Sequence, residues 1–230
     1  MSEASQVVGR LRELALPAEL PKVRKRLSAD EPAFGLRMRD VFDTAKAHVG
    51  LGLDQVHELL DHPAYEPRLT AFCILDFKAR RRLDPRGRRE LCEIYVERHD
   101  RITTWDMVDR SAPRVVGGCV SGGPYDLLFS LAEADAPLQR RSAVTAPLLF
   151  TRSGGEADLD AGFAVAERLL ADPLPVVHNA VGTFLKHAGG CDPDRLRRLL
   201  SAHAADMTRA CLRLATEKLD PAERSRYREG

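Results

Sequence analysis

Apolar residues return at three- and four-residue intervals along nearly the whole of this 230-residue chain, and strand-like alternation is absent. Val7, Leu11 and Leu14 mark one helical face; Val56, Leu59 and Leu60 mark another, as do Phe163, Ala166, Leu169 and Leu170. Proline or glycine breaks the pattern about once per helix length, at Pro17 and Pro21, Gly50 and Gly52, Pro63, Pro85, Pro113, Gly122 to Pro124, Pro137, Gly154, Pro175 and Pro193. The spacing predicts about a dozen short helices and no sheet, an all-α chain.

Alanines that follow a polar residue and precede apolar ones recur at Ala71, Ala112, Ala143, Ala180 and Ala210, separated by 41, 31, 37 and 30 residues. Small residues at this interval suit antiparallel helix pairs stacked as a solenoid, of the HEAT type with its period of roughly 40 residues and its concave binding face. The longest polar interruption, RSGGEADLD at 152–160, reads as a junction between repeats. Residues 1–230 are therefore expected to form a single domain.

No apolar run approaches the roughly 18 residues of a membrane span. The opening segment lacks the pattern of a secretory signal, so a cytoplasmic protein, nucleoid-associated when bound to DNA, is expected. The five cysteines lie far apart with no CxxC, which favours buried thiols over disulfides or zinc. His178 reads as a helix-surface or core-edge residue. The net charge is only +1, but KARRRLDPRGRRE (78–90) holds seven Lys/Arg against two acids, and KVRKR (22–26), QRR (139–141) and RLRR (195–198) add shorter clusters. Each alone suits a solvated helix end; together they admit a polyanionic partner.

The lone tryptophan, Trp105, stands four residues before Asp109 in ITTWDMVDRSAP, which puts indole and carboxylate on one helix face. Thr103 and Asp106 fit a Ser/Thr-x-x-acid cap. Ser111 and Pro113 read as the opening of the next helix, leaving Asp109 near the C-terminus of its own, where the macrodipole disfavours an acid. From the residues alone two readings stand. Either Asp109 pairs with Arg110 or Arg114 while Trp105 fills core, or the pair forms a site.

TTWDMVDRSAPRVVGG, with its tryptophan and acid four apart, resembles the central motif of the AlkD-like DNA alkylation repair glycosylases, which are built of HEAT-like repeats. GLRMRDVFDTAKA (35–47), LLDHPAYEPRLTAFCILDFKAR (59–80) with its Glu-x-Arg pattern, and LQRRSAVTAPLLF (138–150) resemble further family segments in the same order, so the similarity runs from about residue 20 to 215. It implies a monofunctional glycosylase that releases N3- and N7-alkylated purines, such as 3-methyladenine and 7-methylguanine, from duplex DNA. It also implies that the lesion is not held in a snug base pocket. Asp109 matches the family's catalytic acid and Trp105 an aromatic packed against the lesion's deoxyribose. Arg141 matches a DNA-contacting arginine, with Arg140 as the choice one position out of register, and Lys186 a basic phosphate contact. Thr183 stands where the family has a second cleft tryptophan, and Leu138 where it has a helix-opening one.

Neither a Walker motif, nor GxGxxG, nor a ligand cluster is present, so no cofactor and no metal are expected. The expected partner is duplex DNA containing alkylated purines, met by a monomer without a membrane. Two competing readings are a non-catalytic binder of damaged or branched DNA, prompted by Thr183, and a protein-binding helical scaffold, which the fold by itself permits.

Overall fold

A computed structural model of the chain describes residues 2–227. Among the described residues there is no strand, as the periodicity requires. The chain divides into two compact units, Met1–Ser111 and Ala112–Gly230.

The first unit contains α1 (Glu3–Glu13), α2 (Leu20–Arg24), α3 (Met38–Ala47), α4 (Leu53–Asp61), α5 (Tyr65–Ala79), α6 (Pro85–Glu97), a 3-10 turn (His99–Arg101) and the opening of α7 (Trp105–Val120). Helix α5 is its centre, packed against α1, α3, α4 and α6. Every residue of α5 from Tyr65 to Asp76 is buried, which is why this helix reads as apolar on all sides apart from a few polar positions. Those polar side chains are paired, as burial demands. Glu66 accepts the backbone N–H groups of Phe34 and Gly35 at 2.9 and 2.8 Å, and Arg68 forms a buried ion pair with Glu31. The Glu-x-Arg pattern is thus a pair of anchors for the segment between α2 and α3. Gly35 has φ +85°, and a Cβ there would lie 2.9 Å from the Leu20 backbone nitrogen, so glycine is required.

The second unit contains the remainder of α7, α8 (Asp126–Ala132), α9 (Pro137–Thr145), a 3-10 turn (Ala146–Leu149), α10 (Phe150–Ser153), α11 (Glu156–Arg168), α12 (Pro175–Ala188), α13 (Pro193–His203), a 3-10 turn (Ala204–Asp206), α14 (Arg209–Ala215) and α15 (Pro221–Arg226). Helix α9 packs on α8, and α12 packs on α9, α11 and α14, the arrangement of stacked helical repeats. Small residues set the spacing. A Cβ on Gly117 would lie 2.4 Å from the Ala146 carbonyl oxygen, and one on Gly182 would lie 2.7 Å from that of Cys211. Ala112, Ala143 and Ala180 are buried, whereas Ala210 is half-buried. Asp158 gathers the loop after α7: it accepts from Ser121 Oγ, Gly122 N, Tyr125 Oη and Gly155 N at 3.0, 2.8, 2.9 and 3.2 Å. Burial works to raise its pKa, but the hydrogen bonds prevail and hold the carboxyl below the usual carboxylate value.

Three expectations are corrected. Pro113 does not open a helix; it lies inside α7, which runs unbroken for 16 residues. An internal proline costs a helix about 3 kcal/mol, and the burial of Met107, Val108, Ala112, Val115 and Val116 on the same helix offsets that cost. Asp109 consequently occupies the N-terminal half of a long helix, and the macrodipole objection to its position disappears. Of the two places read for His178, the helix surface falls and the core edge stands: it is 7% exposed with Nδ1 unpartnered. Of the cysteines, Cys73, Cys92 and Cys211 are buried, but Cys119 is only half-buried and Cys191 is exposed.

Candidate functional site

The opening of α7 is fastened by a buried polar network. Asp106, 7% exposed, accepts from Tyr65 Oη at 2.5 Å, Thr104 Oγ1 at 2.5 Å and Arg26 Nη1 at 2.7 Å. The cap expected from Thr103 and Asp106 is therefore not the observed contact. Thr103 donates to Glu31 Oε1 at 2.7 Å, while Asp106 turns inward to α5 and to the end of the KVRKR segment. A buried carboxylate with three donors is worth more to the fold than an exposed cap. Burial, and then the Asp106 charge, raise the Tyr65 phenol well above its ordinary value, keeping it a neutral donor.

Trp105 lies on the other side of this anchor. It is 47% exposed, and among the described residues only Leu174 of the other large apolar side chains is exposed as well, so the reading in which Trp105 fills core is overturned. Asp109 is also exposed, one turn further along α7. Indole and carboxylate thus share an open face, while Met107 and Val108 between them are fully buried.

Arg110 fastens the second turn. Its Nη2 lies 2.9 Å from Asp76 Oδ2, and its guanidinium lies over the rings of Phe42 and Phe77 at 4.3 and 4.8 Å. Asp76 is 1% exposed and also binds Arg80 at 2.9 Å. Neither Asp76 nor Tyr65 stands out in the sequence, because α5 shows only a run of apolar residues with scattered polar ones.

The other expected residues lie in the second unit. Arg141 is 8% exposed and donates from Nη1 to the Val176 carbonyl at the head of α12. Arg140 is committed to structure: Nε binds Asp172 at 2.7 Å, and Nη1 donates to the Ala134 and Asp135 carbonyls at 2.9 and 2.7 Å. Thr183 is half-buried and returns its hydroxyl to Asn179 O at 2.8 Å. Lys186 pairs with Glu217 at 2.6 Å. Val176, Asn179, Thr183 and Lys186 form a half-exposed stripe along α12 at helical spacing. Several basic clusters are likewise tied down: Arg24 donates to the Glu31 carbonyl, Arg26 to Asp106, Arg195 to Asp160 and Arg197 to Glu223.

Among the described residues no group of His, Cys, Asp and Glu side chains is placed to hold a metal ion, and no helix is long and apolar enough to cross a membrane.

The fold and site define a helical-repeat protein that displays an acid beside an indole. The family model for DNA alkylation repair enzymes matches residues 7–219, and the chain belongs to that family. Its role therefore lies in the repair of alkylated DNA. Among solved structures, a protein from Enterococcus faecalis described as a predicted DNA alkylation repair enzyme is similar, with a TM-score of 0.67 over 90% of this chain and 97% of that one. The two are 12% identical, so this likeness speaks for the fold alone. None of the curated proteins matches the chain in sequence.

Proposed function

We propose that the protein is a monofunctional DNA glycosylase that hydrolyses the N-glycosidic bond of N3- and N7-alkylated purines in duplex DNA. The observation that carries this reading is the exposed pair on α7, Trp105 and Asp109, held on a helix whose inner face is locked into α5.

The chemistry asks little of the protein. An alkylated purine already carries formal positive charge, so when the bond from C1′ to the purine nitrogen breaks, its electron pair neutralises the departing base. Positive charge then grows on the deoxyribose. A fixed carboxylate such as Asp109 stabilises that oxocarbenium-like sugar and orients a water molecule toward C1′, and the water's proton leaves through the same carboxylate to solvent. Trp105 offers a π face to the developing cation, worth roughly 0.5 to 2 kcal/mol. Arg141 and Lys186 are assigned as phosphate contacts, the first through the part of its guanidinium not given to the Val176 carbonyl and the second, a point charge, by exchanging Glu217 for the phosphate. Arg140, already bound to Asp172 and two carbonyls, serves the scaffold.

The test is release of 7-methylguanine and 3-methyladenine from methylated duplex DNA, with Asp109→Asn assayed in parallel. Release by the natural protein and a loss of about 10²- to 10³-fold in the variant, with DNA binding retained, is the expected result. Normal excision by Asp109→Asn would sink the mechanism. A second reading, a non-catalytic binder of damaged DNA, draws on Thr183, which leaves a small side chain in the half-exposed stripe of α12. Salt-sensitive binding without any base release would favour it.

A further inference from the structure

The turn from α5 into α6 carries more positive charge than its structure uses. Arg81, Arg82, Arg86 and Arg89 are exposed, and among the described residues none of these four side chains takes part in an ion pair or a side-chain hydrogen bond. Arg80, by contrast, is drawn to Asp76, and the nearby acid Asp84 is spent as the N-cap of α6, accepting from Gly87 N at 2.7 Å. Burial chiefly, and then the charge of Arg81, lower the pKa of Lys78 at the foot of this turn.

Helix electrostatics explain only half of these cations. Arg81 and Arg82 follow the C-terminus of α5, where the macrodipole favours positive charge. Arg86, Arg88 and Arg89 stand in the opening turns of α6, where it disfavours them, and the first turn of α6 has no acid. The far end of the same helix has no base in its last turn and closes on Glu97. The caps of this 13-residue helix, Asp84 and Arg98, have the sense its dipole favours, but the bases of its opening turns stand against it. Such an arrangement costs stability in the free protein and is relieved when an anion reaches the N-terminus, where backbone N–H groups and guanidinium forks both point at it.

We propose that the α5–α6 turn is a second DNA contact, in which Arg81, Arg82, Arg86 and Arg89 bind phosphates of the duplex backbone without regard to sequence or damage. The choice of DNA rests on family membership and not on glycosylase chemistry, so the two readings fail separately. Phosphates of a duplex follow one another closely enough for several guanidiniums on one short turn to be engaged together, and each one engaged releases condensed counterions.

The test uses the full chain and a labelled, undamaged DNA duplex, with binding followed by fluorescence anisotropy over a salt series. The combined variant R81Q/R82Q/R86Q/R89Q should flatten the slope of log Kobs against log[salt] by about 0.9 for each phosphate no longer engaged, roughly 2 to 4 in all. The corresponding four Arg→Lys changes should restore most of the slope, and circular dichroism should show the same helix content in all three proteins. An unchanged slope in the Gln variant overturns the proposal. So does binding confined to phosphatidylserine vesicles with none to the duplex. Because no base need be released, a protein inactive as a glycosylase tests the proposal equally well.

Discussion

Arg110 and Asp76 meet at 2.9 Å, with the guanidinium lying over Phe42 and Phe77, so the residue next to Asp109 is fixed from both its edge and its faces. The consequence is a rigid second turn of α7 just before Pro113, which has no N–H to give to the Asp109 carbonyl one turn back. Asp76→Ala leaves Arg110 without its buried partner and should cost about 3 kcal/mol, the lower end for a broken buried pair, because Arg110 and Arg80 keep some access to water. Arg110→Lys keeps the charge and loses the planar stacking, at roughly 1 kcal/mol. Urea denaturation of the two variants measures both. If the clamp also sets the direction of Asp109, Arg110→Lys lowers the rate of base release at saturating DNA while leaving DNA affinity as it was.

The two carboxylates of the WDMVD stretch should separate cleanly into fold and function. Asp106→Ala strands Tyr65 Oη and the Arg26 guanidinium and should destabilise the protein by about 3 to 5 kcal/mol. Asp109→Asn, on an exposed face, should shift stability by no more than about 1 kcal/mol, the range for an exposed polar or charged contact. Thermal melts of the two variants, run beside the excision assay, give opposite patterns. A strongly destabilised Asp109→Asn would mean that the exposed acid is part of the scaffold.

Acid should weaken the second unit through Asp158. Its hydrogen bonds hold the folded-state pKa below the unfolded value of about 3.9. The stability it contributes is therefore complete above that value and is lost as the pH falls through the lower, folded-state pKa. Asp158→Asn removes this proton linkage and presents an amide where Ser121, Gly122, Tyr125 and Gly155 all donate. The variant should melt earlier near pH 7 and show a shallower decline below pH ~4. Melts across that range read both effects, and parallel acid limbs in the two proteins would contradict the assignment.

Thr183→Trp asks whether the second tryptophan that the family resemblance expects at this position is needed. Thr183 is half-buried on the α12 stripe and its hydroxyl only returns to its own helix, so a larger side chain has an open side to occupy. The exchange should raise the rate of 7-methylguanine release by several-fold, within the roughly 0.5 to 2 kcal/mol of an aromatic face near a cation. An unchanged rate would show that no indole is needed at this position.

The helices, the cuts between most of them and the neighbourhood of Trp105 and Asp109 were legible in the residues, because helical period and proline or glycine punctuation act over a few residues. Pro113 misled for the same reason: locally it is a breaker, and only the burial of Val108, Ala112, Val115 and Val116 keeps α7 intact across it. Asp106 misled because a cap and a buried hub look alike until Tyr65 and Arg26, 41 and 80 residues away, arrive beside it.

By itself the sequence determined that this chain is helical, repeated, and marked by one acid a turn beyond its single indole, since each of these is a matter of short-range spacing. Tertiary structure alone decided which of the two acids is locked inside and which faces out, and which arginines are held by partners and which remain exposed. Burial and pairing are properties of residues far apart in the chain, and the free energy that settles them exists only once those residues are packed together.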